Sequence, residues 1–164
     1  MRSHLIALCL CMAASIGPAD AQDVVRHRNP DPNSPIAMAV EVPAGFTTVM
    51  LSGMVPAVVN SHDPPESPDR FGNTRRQTAS VLSQIEATLK SIGLTLGDVV
   101  RMQVFLVGDP VRDGQMDFEG FTAAYSEHFG TAAQPNLPAR SVVKVAGLLN
   151  RGWLVEIEAT AVRR

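Results

Sequence analysis

The chain has 164 residues, with 14 Lys and Arg against 16 Asp and Glu and a formal net charge of −2. Basic residues are scattered rather than striped, which argues against nucleic acid as a partner, and the length suits one domain with a real core. The only cysteines, Cys9 and Cys11, lie near the start, so a disulfide framework is not expected.

The opening stretch "MRSHLIALCLCMAASIGPADAQ" carries a positive Arg2 and an apolar run from Leu5 to Ala14. That run is too short for a bilayer span, which needs about 20 residues. Ala19-Asp20-Ala21 follows as a small-x-small cleavage pattern. Residues 1–21 therefore read as a secretory signal peptide, with a periplasmic or secreted product beginning at Gln22. A buried N-terminal helix is the alternative. A lipoprotein anchor is disfavoured, because neither cysteine follows the small residues of a lipobox. Both cysteines leave with the leader, so the mature chain has no thiol for catalysis, metal binding or cross-linking. No later stretch is long and apolar enough to span a membrane.

Residues 22–35 form a polar, proline-rich lead-in with room for one edge strand. A single domain over 36–164 follows. "IAMAVEV" (36–42) reads as a strand, and "FTTVMLSGMV" (46–55) as a second strand paired with it in a hairpin across Pro43-Ala44-Gly45. Residues 56–72 hold four prolines and read as a long surface loop. Residues 73–93 read as a helix with Val81, Leu82, Ile85, Leu89 and Ile92 as its apolar stripe, Thr74 with Gln77 as a capping box and Gly93 as the stop. Residues 95–109 give a strand with Val100, Met102, Val104 and Leu106 on one face and Val99, Arg101, Gln103 and Phe105 on the other. Residues 116–130 give a second helix with Phe118, Phe121, Tyr125 and Phe129 as its stripe. "ARSVVKVAGL" and "WLVEIEATAV" close the chain as two strands joined in a hairpin. The order β-β-α-β-α-β-β predicts an α+β fold, a mainly antiparallel sheet with both helices on one face. The last strand turns Trp153, Val155, Ile157, Ala159 and Ala161 one way and Leu154, Glu156, Glu158, Thr160 and Val162 the other. The second set suits a face that meets another subunit around a polar pocket; a single subunit with that face wet is the alternative.

Several chemistries have no support. The histidines have no metal-ligand spacing, no glycine-rich phosphate loop joins a strand to a helix, and no serine sits in a nucleophile elbow. No metal or organic cofactor is expected. Arg140, Glu156 and Glu158 remain. Arg140 is either half of a salt bridge to Glu158 or a guanidinium fork for a substrate carboxylate. Glu156 is either paired with Lys144 across the expected hairpin or a carboxylate that places a water.

The stretches "LSGMVP", "QTASVLSQIEATLKSIG", "VVRMQVFLVGD", "FTAAYSEHFG", "LPARSVVKVAGL" and "LVEIEATAV" resemble the Rid family (YjgF/YER057c/UK114) of imine and enamine deaminases, over roughly residues 33–163. Pro-Ala-Arg-Ser entering a strand, followed by Val-Glu-Ile-Glu-Ala, is the most specific part. The resemblance implies a chorismate mutase-like fold and a homotrimer with sites in the clefts between subunits. It implies that Arg140 holds a substrate carboxylate, that Glu156 orients the attacking water, and that the backbone of Ser52, Gly53 and Val142 lines the pocket. The implied reaction turns a 2-imino or enamine acid into a 2-keto acid and ammonia. Two positions depart from the family pattern. Ile36 stands where many members carry a tyrosine, and Thr122 where many carry an asparagine. Both make the pocket wall less polar. A non-catalytic trimer that binds small carboxylates or a protein client in the same clefts is the alternative function.

Overall fold

Residues 23–164 are described by the computed structural model; the expected signal peptide lies outside the described residues. β1 (Val25–Arg28) and β2 (Ala37–Glu41) form a two-stranded antiparallel ribbon. The main sheet contains β3 (Thr47–Met54), β4 (Val99–Val107), β5 (Ala139–Val145) and β6 (Val155–Arg163), in the order β3-β6-β4-β5. Helix α1 (Thr74–Ser91) connects β3 to β4, and α2 (Phe118–Tyr125) connects β4 to β5.

Both expected hairpins are replaced by other pairings. Residues 37–41 pair with β1 rather than with β3. Pro43 ends the ribbon, and Gly45, at φ +92°, turns the chain away into the main sheet. β5 does not pair with β6. It lies parallel to β4, whereas β6 inserts between β3 and β4 and runs antiparallel to both. The 31 residues from 108 to 138, including α2, are long enough for a parallel crossover. β3-α1-β4 is likewise a split crossover whose gap β6 fills. The sheet is therefore mixed, and the α+β expectation of two helices on one face holds.

Burial follows the alternation read from the sequence along the middle of β4 and β6, but at the strand ends Val99, Leu154 and Val162, expected on the other face, are buried as well. Val155, Ile157, Ala159 and Ala161 of β6 pack with Met102, Val104 and Leu106 of β4. Above them lie Val81, Leu82, Ile85 and Leu89 of α1 and Phe121 and Tyr125 of α2, all fully buried. Each such side chain contributes about 2 kcal/mol by leaving water. Phe118 and Ile92 depart from their expected buried stripes: Phe118 is 43% exposed at the first turn of α2, and Ile92 is exposed at the cap that follows α1. Among the described residues no helix covers the opposite face of the sheet. Met50 and Ser52 of β3, Arg101, Gln103 and Phe105 of β4, and Glu156, Glu158 and Thr160 of β6 belong to it, and Met50 is 80% exposed.

The first helix begins differently from expectation. Asn73, not Thr74, is its cap, and the Asn73 side chain accepts from the Arg76 N–H at 3.0 Å. Asparagine is among the strongest caps, and one residue earlier it takes the role. Gln77 is thereby free of capping and fully buried. Its amide donates to the carbonyls of Gly72 and Gly152, and its oxygen accepts from the Leu154 N–H at 2.7 Å. One buried side chain thus fixes the entry to β6, two residues before Glu156. The stop at Gly93 holds, with φ +76° there and the Leu94 N–H returned to the Leu89 carbonyl.

Candidate functional site

Arg140 is the second residue of β5 and lies opposite Met102, so its side chain projects to the helix-covered side. The guanidinium carbon sits 4.0 Å from the Tyr125 ring centroid and 4.9 Å from that of Phe121. Those rings are four residues apart on α2, one turn, and so share a face. Phe129 stacks on Tyr125 at 4.8 Å and 11°, which holds the ring that holds the arginine. The Tyr125 hydroxyl lies beside the guanidinium, but the ring meets it face-on, so the contact is stacking rather than a directed hydrogen bond. Such contacts are worth about 1–2 kcal/mol where water is excluded.

The guanidinium is partly buried, and among the described residues it forms no salt bridge and none of its N–H groups makes a directed hydrogen bond. Its Nη1 is sealed from solvent without a partner, as are the Tyr125 hydroxyl and Thr122 Oγ1. Burial pulls the Arg140 pKa down, and the neighbouring Tyr125 opposes that pull. Tyr125 itself is pushed up to about 12 by burial, with Arg140 and then Arg26 acting the other way. At neutral pH this is a charged guanidinium beside a neutral phenol.

The mouth of β5 is fixed from the ribbon. Arg26 of β1 donates to the carbonyls of Val99 and Leu137 at 2.9 Å each and of Gly97 at 2.8 Å. The Ala37 N–H donates to the Pro138 carbonyl at 3.1 Å. Ile36, half-buried, precedes that bond and so sits beside the entry to β5. Thr122, also half-buried, lies on α2 between the two rings that carry Arg140. Val142 projects to the same side as Arg140, opposite Val104, and packs against the core.

Glu156 lies elsewhere. It sits opposite Phe105 on the uncovered face of the sheet. Its carboxylate is packed onto Gly53, where any side chain would collide with Glu156 Oε1. β3 bulges there: Leu51 pairs with Ala159 and Met54 with Ile157, three steps against two. Ser52, exposed, belongs to the same bulge. Glu156 forms no salt bridge among the described residues, and Lys144 instead donates to the Gly114 carbonyl at 2.6 Å. The Lys144–Glu156 pair expected from a terminal hairpin is thus absent there because β6 is not the neighbour of β5. The Arg140–Glu158 pair fails for the same reason, and because exposed Glu158 faces away from the helices.

The sequence-derived residues therefore fall into two groups. Arg140, Val142, Ile36 and Thr122 lie at the helix side and mouth of β5. Glu156, Ser52 and Gly53 lie on the uncovered face. β5 and β6 are separated by β4, about 10 Å in the sheet plane, and the side chains of Arg140 and Glu156 point to opposite faces. Within one chain no small acid touches both. Phe121 and Tyr125, which hold Arg140, escaped the sequence reading as site residues; their four-residue spacing on α2 was the available signal. A cavity of about 810 Å³ lined by Asp23, Phe46, Ile92 and Val162 lies at the same end of the sheet as the mouth of β5, where Arg26 and Gly97 also line it, and includes neither Arg140 nor Glu156. Among the described residues no group of three or more His, Cys, Asp or Glu could hold a metal ion, and no helix is long and apolar enough to cross a membrane.

Residues 39–163 match the family model described as Endoribonuclease L-PSP. A RutC family protein of Pyrococcus abyssi is 31% identical over 142 residues, covering 86% of this chain and 97% of the relative. The chain belongs to the Rid family. The 2-iminobutanoate/2-iminopropanoate deaminase of Escherichia coli is 35% identical to this Rid chain over 116 residues, covering 71% of it and 80% of the enzyme. A Rid-family protein of unknown function from Yersinia pestis superposes with a TM-score of 0.63 at 24% identity, covering 86% of this chain and 98% of its own; that likeness concerns the fold alone.

Proposed function

We propose that this Rid protein hydrolyses 2-imino acids to 2-keto acids and ammonia, in clefts formed between copies of the chain in a homotrimer. The observation that carries the reading is Arg140: a guanidinium stacked on Tyr125, partly shielded from water, with no anion of its own chain among the described residues. Its fork matches a carboxylate, and the relatedness to a 2-iminobutanoate/2-iminopropanoate deaminase supplies the reaction class.

The chemistry is light. Water adds to C2 of the protonated imine, forming a C2–O bond. Glu156 orients that water and takes its proton, which passes to the departing nitrogen. The C2–N bond breaks as the hydroxyl left on C2 gives its proton to solvent water, ammonia leaves, and the C2 carbonyl of the keto acid remains. Holding the acid and placing one water supply the proximity that such a step needs. Because Arg140 and Glu156 lie on opposite faces, the two act together only if a second copy brings its uncovered face to the first copy's β5 mouth. Unpaired Glu156 and exposed Met50 on that face fit such an assembly. Export to the periplasm belongs to the same proposal, on the strength of the N-terminal sequence pattern.

The test is ammonia release from imino acids generated in situ. Acceleration over the uncatalysed rate, lost in Arg140→Ala, is expected; equal rates for the two proteins would end the reading. Ile36 and the unpartnered Thr122 favour a second reading, a trimer that binds carboxylates without turning them over. Calorimetric binding of 2-keto acids together with no ammonia release would establish it. The nuclease named in the family model's description is not our reading, since Arg101 on the uncovered face is accompanied by Glu156 and Glu158, and phosphate backbones need clustered cations.

A further inference from the structure

The surroundings of Arg140 narrow the substrate class, an inference that rests on the deaminase or carboxylate-binding reading above. Phe118, Phe121 and Tyr125 form a continuous aromatic row. Phe118 and Phe121 are 6.2 Å apart between centroids, and Phe121 and Tyr125 are 5.9 Å apart. Arg140 occupies the inner end of the row, over Phe121 and Tyr125. The outer end, Phe118, is 43% exposed although it belongs to the same stripe. Ile36 lies at the mouth of β5, on the other side of Arg140 from Phe118. Among the described residues nothing covers the exposed part of the Phe118 ring, which stands one ring away from an arginine without an anion.

The charges around Phe118 sharpen this. It is flanked in sequence by Asp117 and Glu119, and the nearby cation Arg112 is already engaged with both, at 3.5 and 3.8 Å. Arg26 donates to three backbone carbonyls at the mouth of β5, and Lys144 donates to the Gly114 carbonyl. A guest with a second carboxylate at its far end would bring it beside Asp117 and Glu119. A guest with a bulky apolar far end would cover Phe118.

We propose that the Arg140 site selects monocarboxylates with a branched aliphatic or aromatic side chain over two- or three-carbon acids and over dicarboxylates. The carboxylate takes the exposed side of the Arg140 guanidinium, and the side chain lies along Phe118. In the hydrolytic reading the preferred substrates are the 2-imino acids of leucine and phenylalanine type. Each additional group packed on an apolar wall is worth on the order of tenfold in specificity.

The experiment compares kcat/KM for imino acids generated in situ by an amino-acid oxidase from alanine, leucine, phenylalanine and glutamate. The leucine- and phenylalanine-derived imines should exceed the alanine-derived one by about tenfold or more, with the glutamate-derived imine at or below alanine. Phe118→Ala should narrow the leucine-to-alanine ratio to within about threefold. Turnover with alanine- or glutamate-derived imine preferred, or a ratio unmoved by Phe118→Ala, overturns the inference while leaving the deaminase reading standing. If no imine is accelerated, the deaminase reading fails and the inference is decided by calorimetry. Binding of 4-methyl-2-oxopentanoate at least tenfold tighter than pyruvate supports it, and equal affinities overturn it.

Discussion

Arg26 and Arg140 are both half-buried arginines at the mouth of β5, and in both burial depresses the guanidinium pKa. Their surroundings differ in one respect. Arg26 reaches three backbone carbonyls, from the segments that enter β4 and β5. Arg140 meets aromatic faces, and none of its N–H groups makes a directed hydrogen bond among the described residues. A half-buried cation that ties three backbone carbonyls together is a structural part. One held in place by ring faces, with its fork unfilled, is oriented without being neutralised. The pair therefore separates what holds the site from what the site is for.

Substitution at the two positions should divide stability from activity. Arg26→Met leaves part-buried carbonyls of Val99 and Leu137 without their donor and should cost about 3 kcal/mol of stability, read by urea denaturation. Next in size, Arg140→Ala should lower kcat/KM on the order of 100-fold while changing stability by less than about 1 kcal/mol. An Arg140→Ala protein destabilised as much as Arg26→Met would break the comparison, for Arg140 would then be structural. Arg140→Lys keeps the charge but loses the planar fork and the ring stacking, and should raise KM about tenfold with a smaller change in kcat.

The smallest effect at neutral pH is expected from Tyr125→Phe, which keeps the ring under Arg140. Its signature lies at high pH. The folded-state pKa of Tyr125, about 12, exceeds the unfolded value of about 10. Between these values the unfolded chain has released the phenolic proton and the folded chain has not, so stability falls as pH rises through that window. The loss approaches on the order of 2 kcal/mol by pH 12. Tyr125→Phe should remove this part of the alkaline decline, measured as melting temperature against pH in both proteins. Parallel profiles would mean that the phenol is not buried as described.

A mixing experiment addresses the opposite-face geometry. Arg140→Ala and Glu156→Ala proteins, each inactive, should regain activity when unfolded and refolded together. Random assembly leaves roughly a quarter of the clefts with both native residues. No recovery would mean that one chain supplies both.

The sequence was most informative where one local period decides the outcome. The stripe Val81, Leu82, Ile85 and Leu89 and the alternation of Met102, Val104 and Leu106 both reached the core as expected, since a one-residue slip would expose an entire face. Strand pairing was less legible. Residues 139–145 and 155–163 are near neighbours in sequence, and a short connection suggested a hairpin. The long, helix-bearing connection from Val107 to Ala139 was the better guide, because a parallel neighbour needs such a crossover. That error carried into the site, where it suggested partners for Arg140 and Glu156 that lie on another strand or another face. The candidacy of Arg140 and Glu156 was legible through the Pro-Ala-Arg-Ser and Val-Glu-Ile-Glu motifs. The rings beneath Arg140 and the carboxylate resting on Gly53 were not, because both arise from contacts between elements distant in sequence.

The most direct test is a crystal structure of the chain grown with a small 2-keto acid. The predicted result is a carboxylate engaged by the free N–H groups of Arg140 above Tyr125, with Glu156 of a second copy reaching the C2 carbonyl. A keto acid bound away from Arg140, or an Arg140 fork filled by a carboxylate of its own chain, would contradict the account.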